Sequence, residues 1–223
     1  MNILSIQSSA SMEFSLTRKL SQTFLDKLLK AEPESEVEVL DLVNDPPPLM
    51  KPEWISGAFN KGTLTKTEEH ALKRSDEYID QIWRSDLIVI GAPMYNYGMP
   101  AALKAWIDQV ARINKTFSFD LSRGDYPIEP ILKDKQLVMF TSSGEFDFER
   151  GGAREQHNHL VPHLKSCMHY LGVSSDQDFY HAGIEFQEFK DYRHEQSKEE
   201  AFNRLSHIVK HVRFKEGSSH NFV

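Results

Sequence analysis

Apolar residues along this chain follow two rhythms. Short runs that are apolar at nearly every position alternate with longer segments in which apolar residues return every three or four positions. The runs are Ile3-Leu4-Ser5-Ile6, Leu87-Ile88-Val89-Ile90 and Leu137-Val138-Met139-Phe140. A strand that is apolar on both faces needs cover on both, which is the condition of a buried parallel sheet. Val37, Val39 and Leu42 mark a further extended segment, and Gln177 to Ala182, with Phe179 and Tyr180, a weaker one. The helical rhythm appears in Leu16, Leu20, Phe24 and Leu28, in Leu72, Ile79, Ile82 and Trp83, and in Leu103, Trp106, Ile107 and Val110. It returns in Leu160, Leu164, Cys167, Met168 and Leu171, and in Phe202, Leu205, Val209 and Val212.

Punctuation agrees with these segments. Thr65 with Glu68 three residues on predicts a capping box. Pro100 suits a first helical turn, and Gly172 suits a helix C-terminus. The order β-α-β-α-β-α-β-α-β predicts an α/β fold with helices on both faces of a doubly wound, five-stranded parallel sheet. The flavodoxin-like strand order 2-1-3-4-5 fits that count. Two connections are long, Asn44 to Leu64 with Pro46-Pro47-Pro48, and Ile113 to Lys135 with Phe117-Ser118-Phe119. Long ordered excursions in a compact domain are often functional.

The 223 residues suit one domain, expected over 1–215, with 216–223 as a frayed tail. The formal charge of −7 argues against nucleic acid as a partner. Cys167 is the sole cysteine, so no intramolecular disulfide or multi-cysteine metal site is expected. No stretch approaches the roughly 18 apolar residues of a membrane span. The start, Met1-Asn2-Ile3-Leu4-Ser5, lacks a basic region, so the expectation is a cytoplasmic protein without a signal peptide.

In open α/β sheets, ligands bind beyond the carboxyl ends of the strands near the switch in strand order. That rule selects Ser8 to Thr17, Pro93 to Met99, and Ser142 to Gly152. The first loop is rich in hydroxyls and opens a helix, whose free N–H groups and positive dipole favour a phosphate. It also reads as a plain serine-rich turn with Ser15 as N-cap. It carries neither Gly-x-Gly-x-x-Gly nor Gly-x-x-x-x-Gly-Lys-Ser/Thr, which disfavours a Rossmann dinucleotide site and an NTPase P-loop. No acidic cluster follows the first strand, so a phospho-acceptor domain is disfavoured too. FMN is the remaining common occupant. In the second loop, Met94, Tyr95 and Tyr97 can wall a flat, mostly apolar ring while Asn96 meets its polar edge. The same residues can equally form a small satellite core.

Pro93 to Phe119, PMYNYGMPAALKAWIDQVARINKTFSF, closely resembles the FMN-dependent NADH:quinone oxidoreductases known as azoreductases. The shared pattern is Pro-Met-Tyr-Asn-aromatic, a helix of Leu-Lys-x-aromatic-aliphatic-Asp type, and then Thr-Phe. Ser8-Ser9 followed by the triplet Ser15-Leu16-Thr17 is also similar, and the likeness extends from Met1 to about Val212. It implies phosphate contacts at Ser9, Ser15, Leu16 and Thr17, and ring contacts at Met94, Tyr95, Asn96 and Tyr97. The family's third loop reads close to Ser-Arg-Gly-Gly. This chain has Ser142-Ser143-Gly144-Glu145, with Arg150-Gly151-Gly152 only later.

The positional match therefore assigns Ser142, Ser143, Gly144 and Glu145 to the flavin's pyrimidine edge. It brings Glu145, Asp147 and Glu149 toward the ring, where negative charge opposes an anionic reduced flavin unless Arg150 or Arg154 offsets it. The resemblance further implies a ping-pong hydride relay from NADH or NADPH through flavin N5 to a quinone or azo acceptor. It implies a homodimer, with Phe117 and Phe119 reaching over the partner's flavin; local packing of a small hairpin is the other reading of those two. No catalytic triad and no metal site are expected, the pairs His159/His163 and His207/His211 lacking a third ligand at fixed spacing. Cys167 is expected to pack as a small hydrophobe, and Lys190 to Glu200 to be a solvated helix start. A one-electron carrier and a noncatalytic flavin-binding protein are the alternatives.

Overall fold

A computed structural model describes residues 1–212. The expected tail, 216–223, lies outside the described residues. Five strands form one parallel sheet: β1 (Asn2–Gln7), β2 (Glu36–Asp41), β3 (Leu87–Pro93), β6 (Gln136–Ser142) and β7 (Phe179–Ile184), in the order β2-β1-β3-β6-β7. This is the doubly wound order expected from the sequence. The intervening labels belong to a two-stranded antiparallel hairpin, β4 (Phe117–Phe119) with β5 (Ile128–Pro130).

Successive side chains of a strand point to opposite faces, and this divides the core in two. Ile3, Leu87, Val89, Val138 and Phe140 point toward α1 (Leu16–Ala31) and α6 (Tyr192–His211), where Leu20, Phe24, Leu28 and Leu205 meet them. Leu4, Ile6, Ile88, Ile90, Leu137 and Met139 point the other way. They meet Tyr78, Ile79 and Ile82 of α3 (Lys66–Arg84), Trp106 of α4 (Ala101–Val110) and Leu164 of α5 (Val161–Cys167). Every residue of β3 and β6 is buried. At about 1.5–3 kcal/mol for each large apolar side chain removed from water, these two strands anchor both layers.

The edges behave differently. Val39 of β2 is 63% exposed, because α1 packs on β3 and β6 and leaves the edge strand uncovered. Glu36 and Glu38 on the same strand are charges that discourage edge-to-edge pairing. Trp83 shares the helical spacing of Leu72 and Ile79 yet is 45% exposed. It lies in the last turn of α3, just before the chain leaves the helix at Ser85 to enter β3. The last sheet strand starts two residues later than expected, since Ser175 caps a 3-10 turn over Asp176–Asp178 that occupies the beginning of the apolar run.

Both long connections contain ordered structure. Asn44 to Leu64 includes a helix absent from the sequence reading, α2 (Pro52–Phe59). Its Trp54 is buried and donates its indole N–H to Gln109 Oε1 at 2.8 Å. Gly57 packs so closely that a Cβ there would stand 2.9 Å from Leu72 Cδ1. The stripe from Leu160 to Leu171 is α5 followed by a 3-10 turn, closed by Gly172 at φ +83° as expected.

The capping box that starts α3 is complete. The Thr65 hydroxyl accepts from the Glu68 N–H (3.3 Å) and Glu68 Oε2 accepts from the Thr65 N–H (2.8 Å). Donation from the Ser56 hydroxyl first, and then from the Thr65 N–H and hydroxyl, holds the Glu68 carboxyl down at about 2. A depressed carboxyl contributes stability that is complete above its ordinary value and lost as pH falls through the folded one. Glu68→Gln is therefore expected to lower the thermal midpoint at pH 7. Its deficit relative to the parent should shrink as the pH drops from about 4.5 toward 2, measured by circular dichroism melts across that range. A deficit independent of pH would mean that the carboxylate charge is not what matters.

Candidate functional site

The carboxyl ends of β1, β3 and β6 are where the polar residues of the sheet collect. The first loop leaves β1 at Ser8, whose N–H and hydroxyl both donate to the Gly91 carbonyl, at 3.0 and 2.8 Å. Ser9 is buried, with its hydroxyl near the Ser11 carbonyl. Ser15 caps α1, accepting from the Arg18 N–H at 3.2 Å, and its hydroxyl lies 3.1 Å from that of Thr17. Thr17 is fully buried, and the Leu16 side chain packs into the core below. The backbone N–H groups of Leu16 and Thr17 open the helix and have no acceptor within it. No acidic residue occupies the first turn. The loop is thus both an N-cap and a cradle of donors at the positive end of a helix.

Arg18 braces that cradle, and the sequence reading passed over it. Its guanidinium donates to both carboxylate oxygens of Asp41 (2.7 and 3.0 Å) and to the Ser9 carbonyl (2.8 Å). Hydrogen bonding from Arg18 is the largest influence holding the Asp41 carboxyl below the usual carboxylate range. Arg18 follows the Ser15-Leu16-Thr17 triplet directly, but its partner comes from the end of β2, a pairing that no local spacing reveals.

The second loop is a two-residue hairpin turn. Tyr95 and Gly98 exchange both backbone hydrogen bonds at 3.0 Å, with Asn96 at φ +49° and Tyr97 at φ +68° between them. Two consecutive left-handed residues define a type I′ turn. Asparagine tolerates that conformation, whereas tyrosine pays strain that its surroundings must offset. They do so through the Tyr97 carbonyl, which accepts from the His159 N–H (2.9 Å), and through its ring, which packs against Phe148 and His157. The Glu145 carboxylate bonded to its hydroxyl pushes the phenol above its ordinary value. The Tyr95 hydroxyl accepts from the Ala10 N–H at 3.1 Å, which joins this loop to the first.

The third loop meets the second through Met94 N–H, which donates to the Ser142 carbonyl at 2.8 Å. Met94, Tyr95, Asn96, Tyr97, Ser143, Gly144 and Glu145 line a single cleft of about 410 Å³, joined by Phe148 and Glu188. Ser142 belongs to the end of β6 and faces a neighbouring cavity of about 210 Å³ with Thr141, Glu149 and His181. Of the three acids expected near the ring, only Glu145 lines the cleft. Asp147 accepts from the Ala153 N–H and so closes a local turn. Glu149 pairs with His181 at 3.4 Å, which lowers its carboxyl below the usual range. Arg154 stands 3.5 Å from Glu145. The Arg150-Gly151-Gly152 segment lies in that turn and not in the cleft; Gly151 is at φ +86°, and its N–H donates to Glu155 Oε2.

Phe148 and Glu188 escaped the sequence reading. Phe148 is buried, its carbonyl accepting from the Asn158 side chain. Glu188 arrives from the segment after β7, whose backbone N–H groups at Phe186, Gln187 and Glu188 donate to Glu145, Ser143 and Gly144. Phe117 and Phe119 lie outside the cleft. They form β4, with Phe117 against Tyr170 (ring centroids 5.0 Å) and Phe119 46% exposed. Cys167 packs against the core, and burial pushes its thiol up.

A family of flavodoxin-like fold matches residues 1–208. The chain is 46% identical over 199 residues to the FMN-dependent NADH:quinone oxidoreductase 2 of Colwellia psychrerythraea, covering 89% of this chain and 90% of that protein. Among solved structures, the azoreductase from Bacillus anthracis str. Sterne superposes with a TM-score of 0.82 at 23% identity, over 94% of this chain and 98% of that one. An FMN-dependent NADH-azoreductase from Bacillus anthracis str. Ames Ancestor, solved in complex with FMN, gives 0.78 at 19% identity, over 94% and 100%.

Arg18→Met keeps the apolar stem but removes the guanidinium that ties Ser9 to Asp41. The expected cost is about 2 kcal/mol in urea unfolding at neutral pH, the range for charge-assisted hydrogen bonds in a mostly buried pair. A change below a few tenths would show that the first loop stands without this brace.

Proposed function

Because the chain belongs to the family of flavodoxin-like fold that includes FMN-dependent NADH:quinone oxidoreductases, we propose that it is an FMN-dependent oxidoreductase. It would pass electrons from NADH, or NADPH, to quinone or azo acceptors. The observation that carries this reading is the convergence of the first loop's donors and the second loop's aromatic walls, joined by the Ala10 N–H to Tyr95 hydroxyl bond. A mononucleotide needs that pairing, with a phosphate cradle and a ring slot side by side.

The residues suit FMN. The phosphate would take the Leu16 N–H and the hydroxyls of Ser9 and Ser15, with the buried Thr17 hydroxyl holding that of Ser15 from behind. No acidic side chain in the first turn of α1 opposes it. The ring would lie against Met94, Tyr95 and Tyr97, with Asn96 and the Ser143-Gly144-Glu145 backbone offering polar partners at its edge. Ser142, which faces the neighbouring cavity, would act through its carbonyl by holding Met94. Bound FMN would supply hydride acceptance and donation at N5, so one cleft would serve donor and acceptor in succession, with ping-pong kinetics. The chain's own part is to bind, orient and exclude water. The strained Asn96-Tyr97 turn is preorganised for this, since its geometry is held by His159, Phe148 and Glu145 from outside the turn.

We further propose a homodimer in which Phe117 and Phe119 serve the partner's cleft. Phe14, Leu49, Leu121 and Tyr126 are strongly exposed in the single chain, which suits a second subunit. We likewise propose a single unit over 1–215, of which 213–215 lie outside the described residues, and a cytoplasmic protein. No described helix is long and apolar enough to cross a membrane.

The test is the visible spectrum of the purified protein before and after FMN, and then after NADH without oxygen. A bound flavin spectrum that bleaches in one two-electron step, without a semiquinone band, is the expected result. Accumulation of a semiquinone would favour a one-electron carrier, and failure to retain FMN would overturn the reading. Thr17→Val, which removes the hydroxyl that holds Ser15 in place, is expected to weaken FMN about threefold, within the range of one net hydrogen bond. Fluorescence titration measures it.

A further inference from the structure

The cleft is one-signed. Its two ionisable carboxylates, Glu145 and Glu188, come from different segments, and no lysine or arginine lines it among the described residues. Their placement is built. Gly144 has no side chain, and a Cβ there would stand 2.6 Å from Glu188 Cγ, so glycine lets the Glu188 stem lie across the loop. The segment carrying Glu188 is fixed by three backbone bonds to residues 143–145. A cluster of rings, Phe146 stacked on Phe186 (centroids 4.3 Å) and edged by Phe189, clamps the two segments together.

Two nearby arginines are held by the ring cluster. Arg193 lies over Phe186 and Phe189 and pairs with Asp191 (2.7 Å). Arg154 lies over Phe146 and reaches Glu145 at 3.5 Å, offsetting that carboxylate in part. Glu188 forms no ion pair among the described residues. Across segments 143–155 and 185–193, seven carboxylates face four lysine and arginine cations.

We propose that Glu145 and Glu188 make this cleft select electron acceptors by charge, favouring neutral and cationic quinones or azo compounds over those bearing sulfonate or carboxylate groups. The proposal rests on the functional reading above and deepens it. A cleft with low-dielectric walls focuses the field of its lining charges. Tyr97 holds the Glu145 carboxylate at the cleft wall, and the Glu188 side chain lines the cleft beside it. An anionic acceptor would meet this field where a neutral one of the same shape does not.

Equilibrium binding to the oxidised, FMN-loaded protein, with no electron donor present, tests this without turnover. A neutral naphthoquinone and its monosulfonate are titrated against the flavin absorbance. At low salt the neutral compound is expected to bind on the order of tenfold more tightly, and salt should close the gap. Glu188→Gln should narrow it about threefold. Glu188→Asp, which keeps the charge, should preserve it, and so should Glu69→Gln on α3, away from the cleft. Equal affinities in the parent, or a gap that salt and Glu188→Gln both leave unchanged, would overturn the proposal. The parent's salt response decides the matter even if a variant folds poorly. Failure of the parent to take up FMN overturns the functional reading and this proposal together. Normal uptake without a charge gap overturns the charge selection alone.

Discussion

A parallel sheet covered on both faces leaves polar side chains little room except at the strand ends. In β3 and β6 every position is buried, and alternate residues feed two separate cores. Both flanking layers are positioned by those strands, so the loops that leave their carboxyl ends start from fixed points. Ser8, Met94 and Ser143 each follow directly on a strand, and backbone bonds tie them to neighbouring strands or loops: Ser8 to Gly91, Met94 to Ser142, and Ser143 to Ile184. The precision of the cleft derives from these apolar strands rather than from the loops themselves.

On that base, strain is concentrated in one place. Asn96 and Tyr97 both hold left-handed conformations, and the second is unfavourable for a residue with a large side chain. The I′ turn persists because it is determined from outside, by His159 at the Tyr97 carbonyl, Phe148 at its ring and Glu145 at its hydroxyl. All three partners come from the third loop and the helix approach behind it. The departure of that loop from the family pattern therefore has a structural counterpart. The residues between Glu145 and Gly152 form the turn that presents Phe148, and the Phe146-Phe186-Phe189 clamp secures it to the segment after β7.

An acidic chain can still cradle a phosphate, because local donors outweigh net charge at contact distance. The start of α1 has free N–H groups, hydroxyls and no carboxylate in its first turn. Asp41, which reaches this loop from the end of β2, is paired with Arg18. Glu145 and Glu188 instead line the cleft of the second and third loops.

The strand and helix pattern of the chain was sufficient for the α/β class, the five-stranded order and the position of the three loops. Each of these follows from local periodicity and from the rule that ligands lie beyond the carboxyl ends of strands. The capping box at Thr65 and the left-handed cap at Gly172 were equally legible, being local chemistry. Helix α2 was missed because its amphipathic signal is short and its stability comes from Trp54 and Gly57 docking on distant residues. Trp83 obeyed the spacing but fell beyond the end of the layer it was meant to cover. In the cleft, residues read from contiguous motifs, Met94 to Tyr97 and Ser143 to Glu145, do come together. Arg18, Phe148 and Glu188 could not be found that way, because each acts through a partner that only the fold brings near. Motif chemistry is written in neighbouring positions, whereas bracing and charge placement depend on contacts between segments far apart in the chain.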